Sequence, residues 1–565
     1  MIFHLPQLFG KNMAWIEKQQ NTILSAAAVI MVSNVLSATA GFAKQWVFNS
    51  VFLDGTERSE KLLNALWVSF QIPDTMFQLL ILGALSAAFI PIFSKYKKED
   101  EQTAFRMSSI MMNVLLLTFV IVAVPVFIFA EPITRWRTGH EFTPEQIEVV
   151  TNLTRIMLLS QFFFAISSFM SGILQSYQRF IVSSLSPVLY NVGILIGVLA
   201  FSPMIGVYAA GVGTIIGAFL HMIVQVPSVL KLGYRYKFTL NMGLPGVKEF
   251  FQLMPPRALA IGANEIRKLF LGFFATSVAG NLTYGLIQMA LMLIVTPIRF
   301  FGVPIGQAAL PFLSDEAEEK DRQVFRQLVL QSLHQIAFFS FPASVLLLVL
   351  RVPLVRLAFG TDEFTWQNTL TVGRLVAVLA ISIGVQAMAP LVVRAFYALK
   401  DTKTPLIVSL LDVIVYLGLC SIFVFGLKLG ILGIGLAITI SALLEFLVLL
   451  LLLDYKVKGF NQKGFWVPQI KMTAASFLMA VFLYLPFRIL DELVFETSRT
   501  IELIVLTVTT STIGVLVYIY FAALFDIKEL TYFTQLVTSF GPWQKTLAKT
   551  PEVLSEAPAQ SELGA

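Results

Sequence analysis

Charged residues lie inside long apolar stretches of this sequence, where a charge is costly. They include Lys44, Arg257, Glu265, Arg267, Lys268 and Arg299. A charge at bilayer depth costs about 2.5–3.5 kcal/mol on insertion scales, so each one requires a polar cavity or a partner. Because cations predominate in this set, we expect its lysines and arginines to line a cavity that binds an anion such as a phosphate.

Helical spacing relates several of these charges to one another. Arg257, Asn264 and Lys268 are separated by 7 and 4 positions, which places them on one helical face. Glu265 and Lys268 are an i, i+3 pair and are able to neutralise each other. The alternative to a binding cavity is a set of paired or snorkelling side chains, above all for Arg257, which follows two prolines.

Two carboxylates, Asp412 and Glu445, lie in later apolar stretches. They are candidates for binding a coupling cation, or for pairing within a helix bundle. No metal site and no cofactor are expected, because the chain has one cysteine and four histidines, none of them at the spacing of a known zinc motif.

The composition shows which elements must carry these charges. Of 565 residues, 57% are hydrophobic and 13% charged, and the mean hydropathy is +0.79. A soluble enzyme, a nucleic-acid-binding protein or a disordered chain would need far more charge. We therefore predict an all-α polytopic membrane protein of about fourteen spans. They cover residues 22–52, 63–93, 107–130, 148–176, 180–202, 204–230, 247–278, 282–312, 325–352, 366–398, 405–427, 429–455, 467–488 and 500–524.

Basic loops predict the orientation of these spans. Loops at 95–106, 231–248, 400–403 and 456–463 are richer in lysine and arginine than those of the opposite set. The positive-inside rule then predicts that both termini are cytoplasmic. The polar residues from Gly541 onward predict a disordered tail.

An internal repeat organises the chain. Pro91 and Ser94 recur as Pro311 and Ser314, each 220 positions later, and Tyr177 recurs as Tyr397 at the same offset. Six spans separate the copies, which predicts a parallel repeat of two six-helix lobes with a site between them. We predict a first lobe at 1–240, a second at 241–458, two further helices at 459–530 and a cytoplasmic tail at 531–565.

Short stretches along the first twelve spans carry a family resemblance. They are 83–91 (GALSAAFIP), 171–176 (SGILQS), 187–191 (PVLYN), 301–303 (FGV), 310–314 (LPFLS) and 394–405 (RAFYALKDTKTP). In these stretches the chain resembles the MurJ/MviN-type lipid II flippases of the multidrug/oligosaccharidyl-lipid/polysaccharide (MOP) exporter superfamily.

The resemblance implies two lobes around a V-shaped cationic cavity, with the thirteenth and fourteenth spans forming a groove for a polyprenyl tail. It also implies a function in peptidoglycan synthesis, cell-wall biogenesis and cell shape. The substrate would be lipid II, an undecaprenyl-diphosphate-linked glycan, which is flipped outward across the bacterial inner membrane.

The sequence departs from the family at its cavity arginines. The family positions in spans 1, 2 and 8 fall on Ala38, Phe77 and Met292, and a second arginine of span 1 is Lys44 here. One hypothesis is that Arg267, Lys268 and Arg299 supply the missing positive field. The other is that the recognised head group differs.

Three functions follow from these observations. The first is a lipid II flippase that works by alternating access, driven by the membrane potential, sodium or protons. The second is a MOP-type exporter of another polyprenyl-linked glycan or of a drug. The third is a membrane enzyme acting on a polyprenyl carrier, for which the acidic run at 315–321 is the only candidate site. That run is better interpreted as a solvated loop, so we predict a transporter without enzymatic activity.

Overall fold

The structure is a computed structural model that describes residues 23–82, 89–139, 141–177, 179–316, 322–460, 462–494 and 500–531. All regular structure in these ranges is helical, which confirms the predicted all-α class. The helices are α1 (Ile23–Phe52), α2 (Glu57–Ser69), α3 (Gln71–Phe77), α4 (Ile90–Glu99), α5 (Glu101–Ile128), α6 (Ala130–Arg137), α7 (Pro144–Ser176), α8 (Phe180–Ile205), α9 (Tyr208–Ile223), α10 (Val226–Lys231), α11 (Pro245–Thr276), α12 (Thr283–Pro297), α13 (Val303–Glu316), α14 (Gln323–Val349), α15 (Arg351–Phe359), α16 (Trp366–Ala380), α17 (Ile383–Ala398), α18 (Lys403–Cys420), α19 (Gly430–Lys456), α20 (Gln462–Ile489) and α21 (Thr500–Leu524).

Ten of the described helices are long and apolar enough to cross a membrane, or eleven if α16 and α17, which meet at a 48° bend, form one span. The protein is therefore a multi-pass membrane protein, although the number fourteen stays a prediction. The three predicted spans outside this set are 22–52, 63–93 and 247–278. The third carries the charged group from Arg257 to Lys268, and these side chains lower its hydropathy.

Local sequence explains where the helices begin and where they loosen. Thr143 and Gln146 form a capping box at the start of α7, with Pro144 in its first turn. Four π-helical segments extend helices within the described residues, at Gln78–Leu82, Ile298–Gly302, Ser421–Gly426 and Leu490–Val494. Such segments are frequent at functional sites.

Helices α8 and α9 pack with their backbones in contact. A Cβ atom added at Gly197 would lie 2.2 Å from the Cα of Gly213, and one at Gly193 would lie 2.4 Å from the Cα of Gly217. Small residues allow this close approach, which is a common way for helices to associate in membranes.

One hydrophobic core joins both halves of the chain at the end of the molecule opposite the basic loops. We call that end the far end, and the end with the loops at 95–106, 231–248, 400–403 and 456–463 the basic end. The shared core at the far end includes Phe48, Leu66, Val150, Ile194, Phe274, Leu282, Phe359, Leu375 and Cys420.

At the basic end, by contrast, the described residues form two separate cores. One contains Phe93, Met107, Phe169, Val229 and Phe250. The other contains Phe325, Leu333, Phe396, Leu453 and Met479, and so includes α20. The two halves are thus packed together at the far end and divided at the basic end.

Hydrogen bonds reinforce the closure at the far end. Trp46 Nε1 donates to the Gly360 carbonyl at 3.0 Å, and Asn49 Nδ2 donates to the Phe359 carbonyl at 2.8 Å. Glu60 of α2 accepts hydrogen bonds from Asn281 at 3.1 Å and Asn368 at 2.6 Å. All of these bonds connect residues before position 70 with residues after position 280.

Candidate functional site

Helix α11 crosses the centre of the molecule and carries an ion pair on the side that faces α3. Lys268 Nζ lies 2.6 Å from Glu265 Oε1, which confirms that these two residues pair. The Lys268 side chain is 59% exposed, whereas that of Glu265 is only 4% exposed. Thr75 Oγ1 of α3 donates to Glu265 Oε2 at 3.2 Å, so this carboxylate also connects the two halves of the chain.

Asp74 of α3 faces the same space. It lies deep within the protein, yet its side chain is exposed, so it lines a cavity. Gln161 Nε2 of α7 lies 3.4 Å from Asp74 Oδ1. The charges of Lys44, Glu265 and Lys268 all act on the Asp74 carboxylate.

Lys44 of α1 completes this group, which we call the central cluster: Lys44, Asp74, Glu265 and Lys268. Its ammonium lies 5.9 Å from the centroid of the Phe48 ring. An ammonium over an aromatic face is stabilised, while its remaining hydrogen-bond donors stay available. Two lysines thus lie beside two carboxylates, so the formal charges of the four side chains balance.

Arg267 is adjacent to Lys268 in sequence but contacts other helices. Its Nη1 lies 3.0 Å from Asp412 Oδ2 of α18, and its Nη2 donates to Ser441 Oγ of α19 at 3.2 Å. The guanidinium carbon lies 4.9 Å from the centroid of the Tyr416 ring. Consecutive helical residues are about 100° apart, which explains why Arg267 and Lys268 contact different helices.

Glu445 of α19 lies near this pair. It accepts a hydrogen bond from Ser409 Oγ at 3.3 Å, and the charges of Asp412 and Arg267 both act on it. We call Arg267, Asp412 and Glu445 the second cluster. The structure therefore brings the two candidate coupling carboxylates together, with an arginine already bound to one of them.

The remaining predicted cations lie elsewhere. Arg299 is exposed in the π-helical segment Ile298–Gly302 and forms no ion pair with a described residue. The Arg257 side chain lies outside the described residues, and so does most of the acidic run at 315–321. In the part of the chain that is described, no three His, Cys, Asp or Glu side chains come together in an arrangement that could hold a metal ion.

Sequence reasoning missed Asp74. It is a carboxylate inside the predicted span 63–93, and that position was the signal that could have identified it. Two of the positions where the resembling family has arginines make apolar contacts here. The Phe77 ring packs against Phe164, with centroids 5.6 Å apart, and the terminal methyl of Met292 approaches Gly41.

Comparison with known proteins gives consistent results. The sequence model of the family described as "Lipid II flippase MurJ" matches residues 59–527. A probable lipid II flippase MurJ of Bdellovibrio bacteriovorus is 23% identical over 503 residues, which is 87% of this chain and 93% of that protein. A probable lipid II flippase MurJ of Thermotoga maritima is 27% identical over 490 residues, or 85% and 93% of the two chains.

Solved structures share the fold. A lipid II flippase MurJ in an inward closed conformation superimposes with a TM-score of 0.72 at 22% identity, covering 90% of this chain and all of that one. An inward-facing multidrug resistance MATE family transporter of the MOP superfamily gives a TM-score of 0.62 at 16% identity, covering 75% of this chain and 94% of that one. These similarities support the fold.

Proposed function

Because the chain belongs to the MurJ family of lipid II flippases, we propose that it moves lipid II across the bacterial inner membrane by alternating access. The observation that carries this proposal is the family match over residues 59–527, which includes nearly all of the described helices. Membership in a family of flippases also supports transport as the activity, and not enzymatic transfer.

The central cluster is the proposed binding site for the diphosphate of lipid II. In the empty protein Glu265 neutralises Lys268, and Asp74 lies within the field of both lysines. A diphosphate carries more charge than one carboxylate and offers more oxygens for charge-assisted hydrogen bonds. It therefore displaces the internal carboxylates from Lys44 and Lys268. Arg299, which is exposed and unpaired with any described residue, is the proposed third cation.

Arg267 supports binding only indirectly in this proposal, since its guanidinium is engaged by Asp412. Arg257 remains a predicted cavity cation. It belongs to the same helix as Lys268, α11, and lies nearer the basic end.

The two halves of the chain, 1–240 and 241–458, are the proposed moving lobes. Their shared core at the far end and separate cores at the basic end correspond to a cavity that opens toward the basic end. The positive-inside rule supports a cytoplasmic position for that end, and with it cytoplasmic termini. The conformation is then inward-facing, ready to accept the head group from the cytoplasmic leaflet.

Helices α20 and α21, within 459–530, are the proposed path for the polyprenyl tail. Both expose apolar side chains, for example Phe477 at 66% and Leu516 at 60%. Such surfaces suit contact with lipid chains. The tail would stay in this lipid-facing groove while the head group crosses between the lobes.

The second cluster bears on the driving force. Asp412 and Glu445 remain candidates for binding sodium or a proton, but the Arg267 guanidinium occupies Asp412 at 3.0 Å. A cation would have to displace this arginine. Its presence favours the membrane potential as the driving force, because the potential needs no ion site and is worth about 2.3 kcal/mol per charge per 100 mV.

The proposal is tested by measuring translocation of fluorescent lipid II in proteoliposomes. We expect flipping by the wild type and a loss of about tenfold or more in Lys44→Ala, Lys268→Ala and Arg299→Ala, because each removes a cation from the path of the diphosphate. Arg58→Ala is the matched control, since Arg58 is 74% exposed at the far end and pairs with Glu145.

Undiminished flipping in all three variants and in the triple variant would contradict the assigned binding residues. A folded wild type that fails to flip lipid II, with and without an imposed potential or sodium gradient, would contradict the substrate. The apolar residues at Ala38, Phe77 and Met292 make another polyprenyl-linked glycan the second candidate, and the same liposomes would then be tested with that class of lipid.

A further inference from the structure

A cavity of about 590 Å³ lies at the far end, away from the central cluster. Helices α14, α15 and α20 form its walls. The lining side chains are apolar or aromatic except for two arginines, Arg351 and Arg488. Six of its ten lining residues belong to α20, and none belongs to α21.

The cavity lies where two candidate membrane spans end, which is the level expected for lipid head groups. Helices α14 and α20 are both long and apolar enough to cross the membrane, and the cavity contacts the last turns of each. Val481, Tyr484 and Leu485 of α20 are 48%, 55% and 64% exposed, so this wall faces the membrane laterally. A lipid in the leaflet at the far end therefore has direct access to the cavity.

The two arginines are held in place but retain free donors. Arg351 Nη1 donates to the carbonyl of Leu348 at 2.7 Å, which anchors the guanidinium and leaves its other N–H groups available. Arg488 pairs with Glu492 at 2.9 Å, but both side chains are more than half exposed. Such an exposed pair is weak, so a stronger anion can replace the carboxylate.

Arginine is the side chain best suited to a phosphate, because its planar group donates two parallel hydrogen bonds to phosphate oxygens. Two arginines at the polar edge of an apolar cavity thus match a phosphate attached to acyl chains. The volume is in the range of pockets that hold drug-sized ligands. This volume accommodates a small glycerophosphate head group.

We propose that this cavity binds an anionic phospholipid of the leaflet at the far end, with its phosphate between Arg351 and Arg488 and its acyl chains against Val481 and Leu485. The site shares α20 with the proposed tail path but includes no residue of α21, and the proposal rests on the membrane placement of α14 and α20. Binding at this position would attach the end of α20 to α14 through a lipid.

Native mass spectrometry of the full chain in detergent tests this site with phosphatidylglycerol, phosphatidylcholine and undecaprenyl diphosphate as probes. We expect phosphatidylglycerol to bind more tightly than phosphatidylcholine. The double variant Arg351→Ala with Arg488→Ala should lose about tenfold in affinity for phosphatidylglycerol, because both charge-assisted contacts disappear. Arg135→Ala is the matched control, since Arg135 forms the same i, i+4 pair with Glu131 and lines no part of this cavity.

Two results would overturn the proposal. One is equal phosphatidylglycerol affinity in the wild type and the double variant. The other is arginine-dependent binding of undecaprenyl diphosphate in preference to phosphatidylglycerol, which would make the cavity a site for the polyprenyl carrier. If the double variant does not fold, Leu485→Trp tests the same cavity by filling it while both arginines stay. Lipid II flipping is also measured in liposomes that contain no anionic phospholipid. That assay tests the proposed function without occupying the phospholipid site, so the two proposals can fail independently.

Discussion

Substitution of Asp74 tests whether the central cluster is an anion site or only a set of paired charges. Its carboxylate lies in the field of Lys44 and Lys268, and so competes with any bound diphosphate for the same cations. Asp74→Asn keeps the size of the side chain and its capacity to contact Gln161. We expect this variant to bind undecaprenyl diphosphate several-fold more tightly, by about 1 kcal/mol, since one like charge is removed. Microscale thermophoresis of the purified chain measures the difference.

Asp491→Asn serves as the control for Asp74→Asn, because Asp491 lies in the π-helical segment Leu490–Val494, far from the central cluster. Weaker binding by Asp74→Asn than by this control would mean that Asp74 contributes to the site by a contact other than charge competition.

Sequence reasoning reached part of this residue-level arrangement. The Glu265–Lys268 pair could be predicted, because i, i+3 spacing fixes it within one helix. The pairing of Arg267 with Asp412 could not, since the two residues are 145 positions apart and only the packing of α11 on α18 brings them together. Asp74 was missed because no charged residue lies at helical spacing from it, so its position inside an apolar span was its only signal.

At the scale of helices, Asp401 connects two helices at the basic end, α18 and α19. Its carboxylate accepts hydrogen bonds from the backbone amides of Lys403 and Thr404 at 3.1 and 3.0 Å, so it caps the start of α18. It also forms an ion pair with Lys456 at the end of α19. Asp401 belongs to the stretch 394–405, which carries the most specific resemblance to the family, and this capping gives a physical reason for that motif.

The Asp401 interactions predict a pH-dependent stability. Partial burial of the carboxyl raises its pKa, but the bonds from Lys456 and Thr404 outweigh this effect and lower the pKa to about 2, from an ordinary value of 3.8. The stabilisation is therefore complete above about pH 4 and is lost as the pH falls toward 2. We expect Asp401→Asn to lower the Tm at pH 7, and the difference from the wild type to shrink near pH 2.5. Thermal unfolding of the detergent-solubilised chain checks both values, and a pH-independent difference would contradict the charge-based explanation.

For the molecule as a whole, the sequence predicted the all-α fold class correctly, whereas the number of fourteen membrane spans stays a prediction. The long apolar stretches predict an all-α membrane protein, because the chain has too few charged residues to cover the surface of a soluble protein of this size. Hydropathy is less informative for α11, since this helix carries Glu265, Arg267 and Lys268 within its apolar sequence. The separation of the two cores at the basic end depends on contacts between distant parts of the chain, which periodicity does not reveal.

For the whole molecule, the hydrogen bonds of Glu60 predict how the far end is held closed. This carboxylate accepts from Asn281 and Asn368, both in the second half of the chain. We expect Glu60→Ala to increase and broaden the distance between the halves at the far end. Spin labels on cysteines introduced at the exposed positions Arg58 and Asp362 measure that distance, and the native Cys420 is buried.

Glu57→Ala is the matched control for this measurement, since Glu57 is an exposed residue of the same helix and pairs only with Lys61 among the described residues. Identical distance distributions in Glu60→Ala, Glu57→Ala and the wild type would contradict a closing function for Glu60.

The internal charge balance of the central cluster has a consequence for the second half of the transport cycle. With all four groups ionised, the two lysines and two carboxylates sum to zero. In the proposed cycle, these four side chains therefore carry no net charge across the electric field when the empty protein returns, so the voltage exerts no net force on them during that step. The loaded protein carries the negative diphosphate, which an interior-negative voltage drives outward. If the membrane potential drives transport as proposed, it therefore acts mainly on the step that carries the diphosphate.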